Sequence, residues 1–303
     1  MIFEFEHSEN QQVLLPKKHD VELYIKREDT LHAFVSGNKY RKLKYNLQEA
    51  DNSGFKTLLT FGGAYSNHIA AVASAGALLG FRTIGVIRGE ELESEIDVNP
   101  TLSFAKQNGM QFKFVSREDY RNKTSKDFLE DLKDEFGNFY LIPEGGTNAL
   151  AVKGCEEILS DSDKDFDYIC CAVGTGGTIS GLINCSKPSQ QVLGFPALKG
   201  DFLKEDISKF ATKNNWKLIT DYHFGGYAKI NRELVSFINQ FKEVNNIPLD
   251  SVYTGKMLFG IFDLIEKKQF PKGSKILAIH TGGLQGIEGM NNKLKKKNLP
   301  IIK

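Results

Sequence analysis

Short apolar, β-branched or aromatic runs alternate along this chain with longer stretches of helical period, and that alternation narrows its fold more than any other feature. Runs of strand character occupy positions 21–26, 57–61, 83–87, 112–115, 139–142, 168–173, 191–195, 218–220 and 275–280. Helical periods lie between them at 38–50, 67–79, 99–107, 125–136, 152–159, 231–244 and 256–267. Many of the runs are apolar on both alternating faces, as strands are when helices cover both sides of a parallel sheet. Strand and helix alternating at this spacing make βαβ units and a doubly wound α/β architecture. Ligands in such folds bind beyond the carboxyl ends of the strands, where loops feed helix N-termini. No Pro/Gly-rich linker divides the chain, so a domain boundary is crossed more than once. The EGGTN loop at 144–148 and the segment around Gly37 are the candidate crossings. The expected division is a small α/β domain over 40–145 and a large one made of 1–39 plus 146–303.

At 303 residues the chain can bury a large core without disulfides or metals. Its 39 Lys and Arg stand against 38 Asp and Glu, a formal net charge of +1 that gives no pull toward nucleic acid or an anionic membrane. Cys155, Cys170, Cys171 and Cys185 form no CxxC pair and have no histidine cluster beside them, so zinc-ligand spacing is absent. Cys170 and Cys171 fall inside an apolar run and read as buried, reduced thiols, which fits a reducing compartment. The N-terminal MIFEFEHSEN is acidic where a signal peptide is basic. The longest weakly polar stretch, 69–81, is shorter than the roughly 20 residues that span a bilayer. A soluble, cytoplasmic protein is expected, and the lysine-rich 293–297 reads as a solvated helix end.

Four segments carry chemistry. Residues 173–178, VGTGGT, follow the run DYICCAV and precede the helix-like ISGLI. Strand, glycine loop and helix together can cradle a phosphate, because backbone N–H groups and the helix dipole meet the anion. The same residues serve equally for a tight βα turn. A dinucleotide site requires an acidic residue at the end of the next strand, and QVLGFPA has none; a Walker loop requires a lysine that is missing. Residues 36–41, SGNKYR, open a helix and put Lys39 in its first turn, where the dipole disfavours the ammonium. A lysine so placed can form a Schiff base with a carbonyl compound, although Lys42 and Lys44 stand nearby and position alone does not select Lys39. Residues 61–68, FGGAYSNH, bring Ser66 and Asn67 to a helix N-terminus, as caps or as ligand contacts. No GxSxG elbow surrounds Ser66, which argues against a Ser-His-Asp hydrolase. GGY at 225–227, VYTGK at 252–256 and HTGG at 280–283 read as loops at element ends; His280 reads as structural.

KREDTLHAFVSGNKYRKL, GGAYSNH, VGTGGT, GGY, VYTGK and HTGG follow one another from Lys26 to Gly283, nearly the whole chain. In that order they resemble the 1-aminocyclopropane-1-carboxylate deaminase/D-cysteine desulfhydrase family of fold-type II, tryptophan-synthase-β-like pyridoxal phosphate enzymes. The resemblance implies two doubly wound parallel-sheet domains, the larger binding pyridoxal 5'-phosphate, and a homodimer. It implies that Lys39 holds the cofactor and that Gly174, Thr175, Gly176, Gly177 and Thr178 hold its phosphate. Ser66, Asn67 and His68 match the loop that grips the substrate carboxylate, with Asn67 also near the cofactor ring. Tyr227 and Tyr253 match two active-site tyrosines, and Thr254 stands where the family places the partner of the pyridine nitrogen. In the deaminase branch that position is Glu and the last loop reads HLGG; Thr254 and Thr281 here look like the desulfhydrase branch. A hydroxyl at the ring nitrogen gives a weaker electron sink than a carboxylate, adequate for expelling sulfide. The chain departs from the family in its shorter length, in IAAVAS after SNH, which lacks a basic residue often found there, and in the acidic stretch at 90–99.

The activity implied is a lyase acting on a small amino acid: D-cysteine to pyruvate, sulfide and ammonia. Ring opening of 1-aminocyclopropane-1-carboxylate to 2-oxobutanoate and ammonia, dehydration of another D-amino acid, and binding without turnover are the alternatives.

Overall fold

A computed structural model describes residues 8–200 and 202–303. The acidic stretch at 1–7 and Asp201 lie outside the described residues. Among the described residues ten strands run in chain order: β1 Asn10–Gln12, β2 Glu22–Lys26, β3 Thr57–Gly62, β4 Arg82–Arg88, β5 Gln111–Val115, β6 Tyr140–Ile142, β7 Tyr168–Val173, β8 Gln191–Pro196, β9 Trp216–Leu218 and β10 Lys275–Ile279. The α-helices are α1 Asn38–Asn52, α2 Asn67–Leu79, α3 Pro100–Gln107, α4 Lys126–Phe136, α5 Ala149–Cys155, α6 Gly177–Cys185, α7 Phe202–Ser208, α8 Arg232–Asn245, α9 Thr254–Glu266 and α10 Gly286–Lys296. One sheet has the order β1-β2-β10-β7-β8-β9 and the other β5-β4-β3-β6. Every pairing is parallel except that of β1 with β2.

The apolar runs are explained by what each face touches. In β7, Cys170 and Ala172 join one core while Ile169, Cys171 and Val173 join another. In β10, Ile276 and Ala278 face the first core and Leu277 and Ile279 the second. Leu58 of β3 packs into a third core and Leu59 and Phe61 into a fourth. With side chains pointing to opposite faces in turn, a strand covered on both sides must be apolar throughout. All four cysteines are free thiols, three of them buried. Among the described residues no helix is long and apolar enough to cross a membrane.

The expected α/β architecture with parallel sheets is present, with local differences. β9 begins two residues before the expected 218–220, because Trp216 pairs with Val192 on an edge strand where backbone pairing outweighs hydrophobicity. α5 begins three residues before the expected 152–159, because the Asn148 side chain caps it, accepting from Ala151 N–H at 2.9 Å. β1 and α7 have no counterpart in the sequence reading.

The loops that follow β3, β7 and β10 leave the carboxyl ends of their strands and enter α2, α6 and α10. These are the segments containing GGAYSNH, GTGGT and HTGG, and a common cavity collects them.

Candidate active site

The cavity measures about 640 Å³ and draws its wall from both sheets. Its glycine cup is the turn from β7 into α6. Gly176 caps the helix with φ of +82°, a conformation that favours glycine. A Cβ on Gly177 would stand 2.9 Å from Thr147 Oγ1 and 3.2 Å from Lys42 Nζ. Thr178 accepts from Asn38 Nδ2 at 2.7 Å, which ties the cup to the start of α1. The hydroxyls of Thr175 and Thr147 are 2.6 Å apart.

Lys42 supplies the charge at this cup. Its buried ammonium donates to Gly145 O at 2.9 Å, Thr147 Oγ1 at 3.0 Å and Thr175 Oγ1 at 3.4 Å. No carboxylate of the described residues forms an ion pair with it, and burial lowers its pKa. A buried cation beside helix-terminal N–H groups, with no counter-ion, fits a phosphate-sized anion. Lys42 was passed over in the sequence; its spacing of three from Lys39, on one face of α1, was the available signal.

Lys39 lies in the first turn of α1 and lines the cavity, with Nζ 3.4 Å from Asn38 Oδ1. Burial, and next the positive charge of Lys42, push its amine down to about 7. Near neutral pH a large fraction of this amine is therefore an unprotonated nucleophile and base.

Ser66 caps α2, its Oγ accepting from the N–H groups of His68 at 3.2 Å and Ile69 at 3.4 Å. Its own proton remains free to donate into the cavity. The Asn67 carboxamide oxygen accepts from Gln285 Nε2, linking α2 to the loop before α10. His68 is buried and lines the cavity wall. Thr60 Oγ1 donates to Ile142 O at 2.8 Å, so it must accept from His68 Nε2–H, also at 2.8 Å. Burial, then the charges of Lys39 and Lys42, hold the imidazole well below its ordinary pKa and hence neutral.

Tyr227 and Tyr253 meet edge to face at 6.2 Å between ring centroids and both line the cavity. Burial raises the pKa of each phenol, so both stay protonated at neutral pH. Thr254 is set apart from the other expected residues. It is 0% exposed, does not line the cavity, and its Oγ1 donates to Asp250 Oδ1 at 2.7 Å. Asp250 does line the cavity, yet its carboxylate is occupied: Oδ1 also accepts from Thr254 N–H, and Oδ2 from the N–H groups of Val252 and Tyr253. Thr281 faces the cavity, and among the described residues its hydroxyl has no hydrogen-bond partner. His280 is structural, with Nε2 donating to Pro248 O at 2.7 Å and Nδ1 accepting from Gly282 N–H at 3.2 Å.

Arg88, Glu144 and Asp250 also reach the cavity without having been singled out. Arg88 lies over the Tyr120 ring at 5.7 Å, and Glu144 pairs with Lys123 at 3.2 Å. Arg88 ends β4, and its place at the carboxyl end of a strand was the signal for it.

Residues 11–282 match the family described as pyridoxal-phosphate dependent enzyme. The mitochondrial bifunctional D-cysteine desulfhydrase/1-aminocyclopropane-1-carboxylate deaminase of Arabidopsis thaliana is 32% identical over 295 residues, 88% of this chain and 73% of that protein. A D-cysteine desulfhydrase of Klebsiella pneumoniae is 28% identical over 290 residues, 86% of this chain and 87% of that protein. The crystal structure of a protein described as an ACC deaminase homologue superimposes with a TM-score of 0.84 at 29% identity, covering 98% of this chain and 95% of that one. Family match, relatives and fold agree: this chain is a pyridoxal 5'-phosphate dependent enzyme and belongs to the 1-aminocyclopropane-1-carboxylate deaminase/D-cysteine desulfhydrase family.

Proposed function

We propose that the enzyme catalyses α,β-elimination on D-cysteine, with water converting the product to pyruvate and ammonia as sulfide leaves. The observation that carries this reading is the wall formed by 250–253 and 281–283. It offers the Thr281 hydroxyl but no free carboxylate, because four donors already occupy Asp250. Such a wall supports a modest electron sink, which suits a good leaving group better than an unactivated ring. In this reading Thr281, not Thr254, is the hydroxyl available to a ring nitrogen.

Pyridoxal phosphate, when bound, supplies a sink for the electron pair left at the substrate Cα. The glycine cup at 174–178 and Lys42 would hold its phosphate, and Lys39 would anchor it covalently. The remaining steps fall to side chains. The Lys39 amine, when free and with a large fraction unprotonated near pH 7, takes the α-proton. Ser66 and the N-terminus of α2 hold the substrate carboxylate, Ser66 donating its free proton and the helix dipole attracting the charge. Asn67, tied to Gln285, and His68, held by Thr60, fix that end of the site. The Cβ–S bond breaks with its electrons on sulfur, and the protonated phenols of Tyr227 and Tyr253 supply the proton that makes the thiolate a better leaving group.

The Arabidopsis relative is named for both activities, which makes opening of 1-aminocyclopropane-1-carboxylate the second reading. Replacing Thr281→Leu and Thr254→Glu together tests the wall: the ratio of pyruvate from D-cysteine to 2-oxobutanoate from the cyclopropane substrate should fall at least tenfold. An unchanged ratio removes the wall from the argument.

We also take 40–145 as the small domain and 1–39 plus 146–303 as the large one. The four-stranded sheet is drawn wholly from 57–142, which supports this division. A cytoplasmic homodimer completes the proposal, resting on four unpaired thiols for the compartment and on family resemblance for the assembly.

A further inference from the structure

The loop at 223–228 is held in an unusual shape. Its backbone takes positive φ at Phe224 (+53°), Gly225 (+90°), Gly226 (+117°) and Ala228 (+52°). Two of these residues have a Cβ and adopt the left-handed region only when their surroundings hold them there. Tyr227 sits between two such positions, and its phenol goes where the loop sends it.

What holds the loop is a lysine that the reaction does not use. Lys256, in the first turn of α9, is 2% exposed. Its ammonium donates to His223 O at 2.9 Å and Gly226 O at 2.8 Å. No carboxylate of the described residues forms an ion pair with it. It also lies at the positive end of a helix dipole, where a cation is disfavoured. Burial drives the amine down to about 8 against the pull of Asp250. For fold stability alone, a buried methionine would fill this place without the cost of desolvating a charge. What the ammonium adds is directional: it closes on two carbonyls that flank the turn and precede Tyr227. The same helix start carries Tyr253, so one element places both rings of the pair.

We infer that Lys256 is a positioning residue for the reaction, fixing the loop that presents Tyr227 against Tyr253. The inference rests on the role given to Tyr227 above.

The test is a double-mutant cycle in the cofactor-loaded protein, with limited chymotrypsin digestion as a readout independent of turnover. Tyr227→Phe should lower kcat on D-cysteine. Lys256→Met should lower kcat at least tenfold with KM changed less than threefold, and should open cleavage after Phe224 or Tyr227 while other sites stay resistant. The double variant should be no slower than the slower single variant within twofold, as for two residues acting through one group. Lys256→Arg should restore protease resistance and part of kcat. Should Lys256→Met fail to load cofactor, Lys256→Gln takes its place in the cycle, since its amide can still serve one carbonyl. Multiplying kcat losses, or a loop as resistant in Lys256→Met as in the parent, would overturn the role of Lys256 alone. An unchanged kcat in Tyr227→Phe would instead overturn the role of Tyr227, and the inference with it.

Discussion

Gly37 and Thr281 pack backbone against backbone, so closely that a Cβ on Gly37 would stand 2.1 Å from the Thr281 carbonyl oxygen. The next residue, Asn38, donates its N–H to that same oxygen at 3.4 Å. Through this contact the turn before α1, which carries Lys39, is set against the loop after β10. Gly37 has φ of +61° and ψ of −144°, a region that only glycine occupies without strain. Gly37→Ala should therefore destabilise the fold by about 3 kcal/mol and weaken cofactor binding. Urea unfolding and a cofactor titration measure both; a variant with unchanged midpoint and affinity would show that the contact is not tight.

Lys42 should act on cofactor binding chiefly through the phosphate. A charge-assisted hydrogen bond is worth about 1.5–3 kcal/mol, so Lys42→Met should weaken pyridoxal phosphate binding roughly 10- to 100-fold. Pyridoxal without its phosphate should bind the two proteins alike. Equal losses for both compounds would place Lys42 away from the phosphate.

The depressed pKa of Lys39 has a kinetic sign. Only the unprotonated amine can attack an aldehyde, so cofactor loading of the apoprotein should speed up as pH rises through about 7 and level off by pH 9. Stopped-flow absorbance follows it. A rate still rising near pH 10 would mean an ordinary, solvated lysine. Borohydride reduction of the loaded protein should leave the label on Lys39, and Lys39→Ala should lose both label and turnover.

His68 should cost the fold stability in acid. The folded ring stays neutral well below the ordinary value, whereas the unfolded chain takes up a proton near pH 6.5. The unfolded state then binds the extra proton, so this contribution is complete above pH 6.5 and is lost as pH falls, by at most about 1.4 kcal/mol per pH unit. His68→Asn should remove that slope from urea midpoints taken between pH 7.5 and 5.5. Nitrogen chemical shifts should report a neutral ring protonated on Nε2 throughout. A ring that titrates near 6.5 would contradict the buried geometry.

The strands buried on both faces were legible because burial writes itself into composition: 168–173 is apolar at nearly every position. β1, with the sequence NQQ, was not, since an edge strand is held by backbone pairing with Tyr24, Ile25 and Lys26 and needs no apolar residue. The cavity lining was legible where glycine or a helix start marked it, at Gly174, Thr175, Gly176, Thr178, Lys39 and Ser66. Thr254, which the resemblance places at the pyridine nitrogen, is hydrogen-bonded to Asp250 and does not line the cavity. The start of α9 bends the chain there, and Asp250 draws the Thr254 hydroxyl behind the wall. Lys256 escaped notice because its partners are backbone carbonyls some thirty positions away, which no local pattern encodes.

The central claim is tested most directly by offering D-cysteine and 1-aminocyclopropane-1-carboxylate, in parallel, to the purified cofactor-loaded protein and measuring keto-acid release. The account predicts pyruvate and sulfide from D-cysteine, with little or no 2-oxobutanoate from the cyclopropane substrate. Release of 2-oxobutanoate at an equal or greater rate would contradict it and make ring opening the reaction this wall supports.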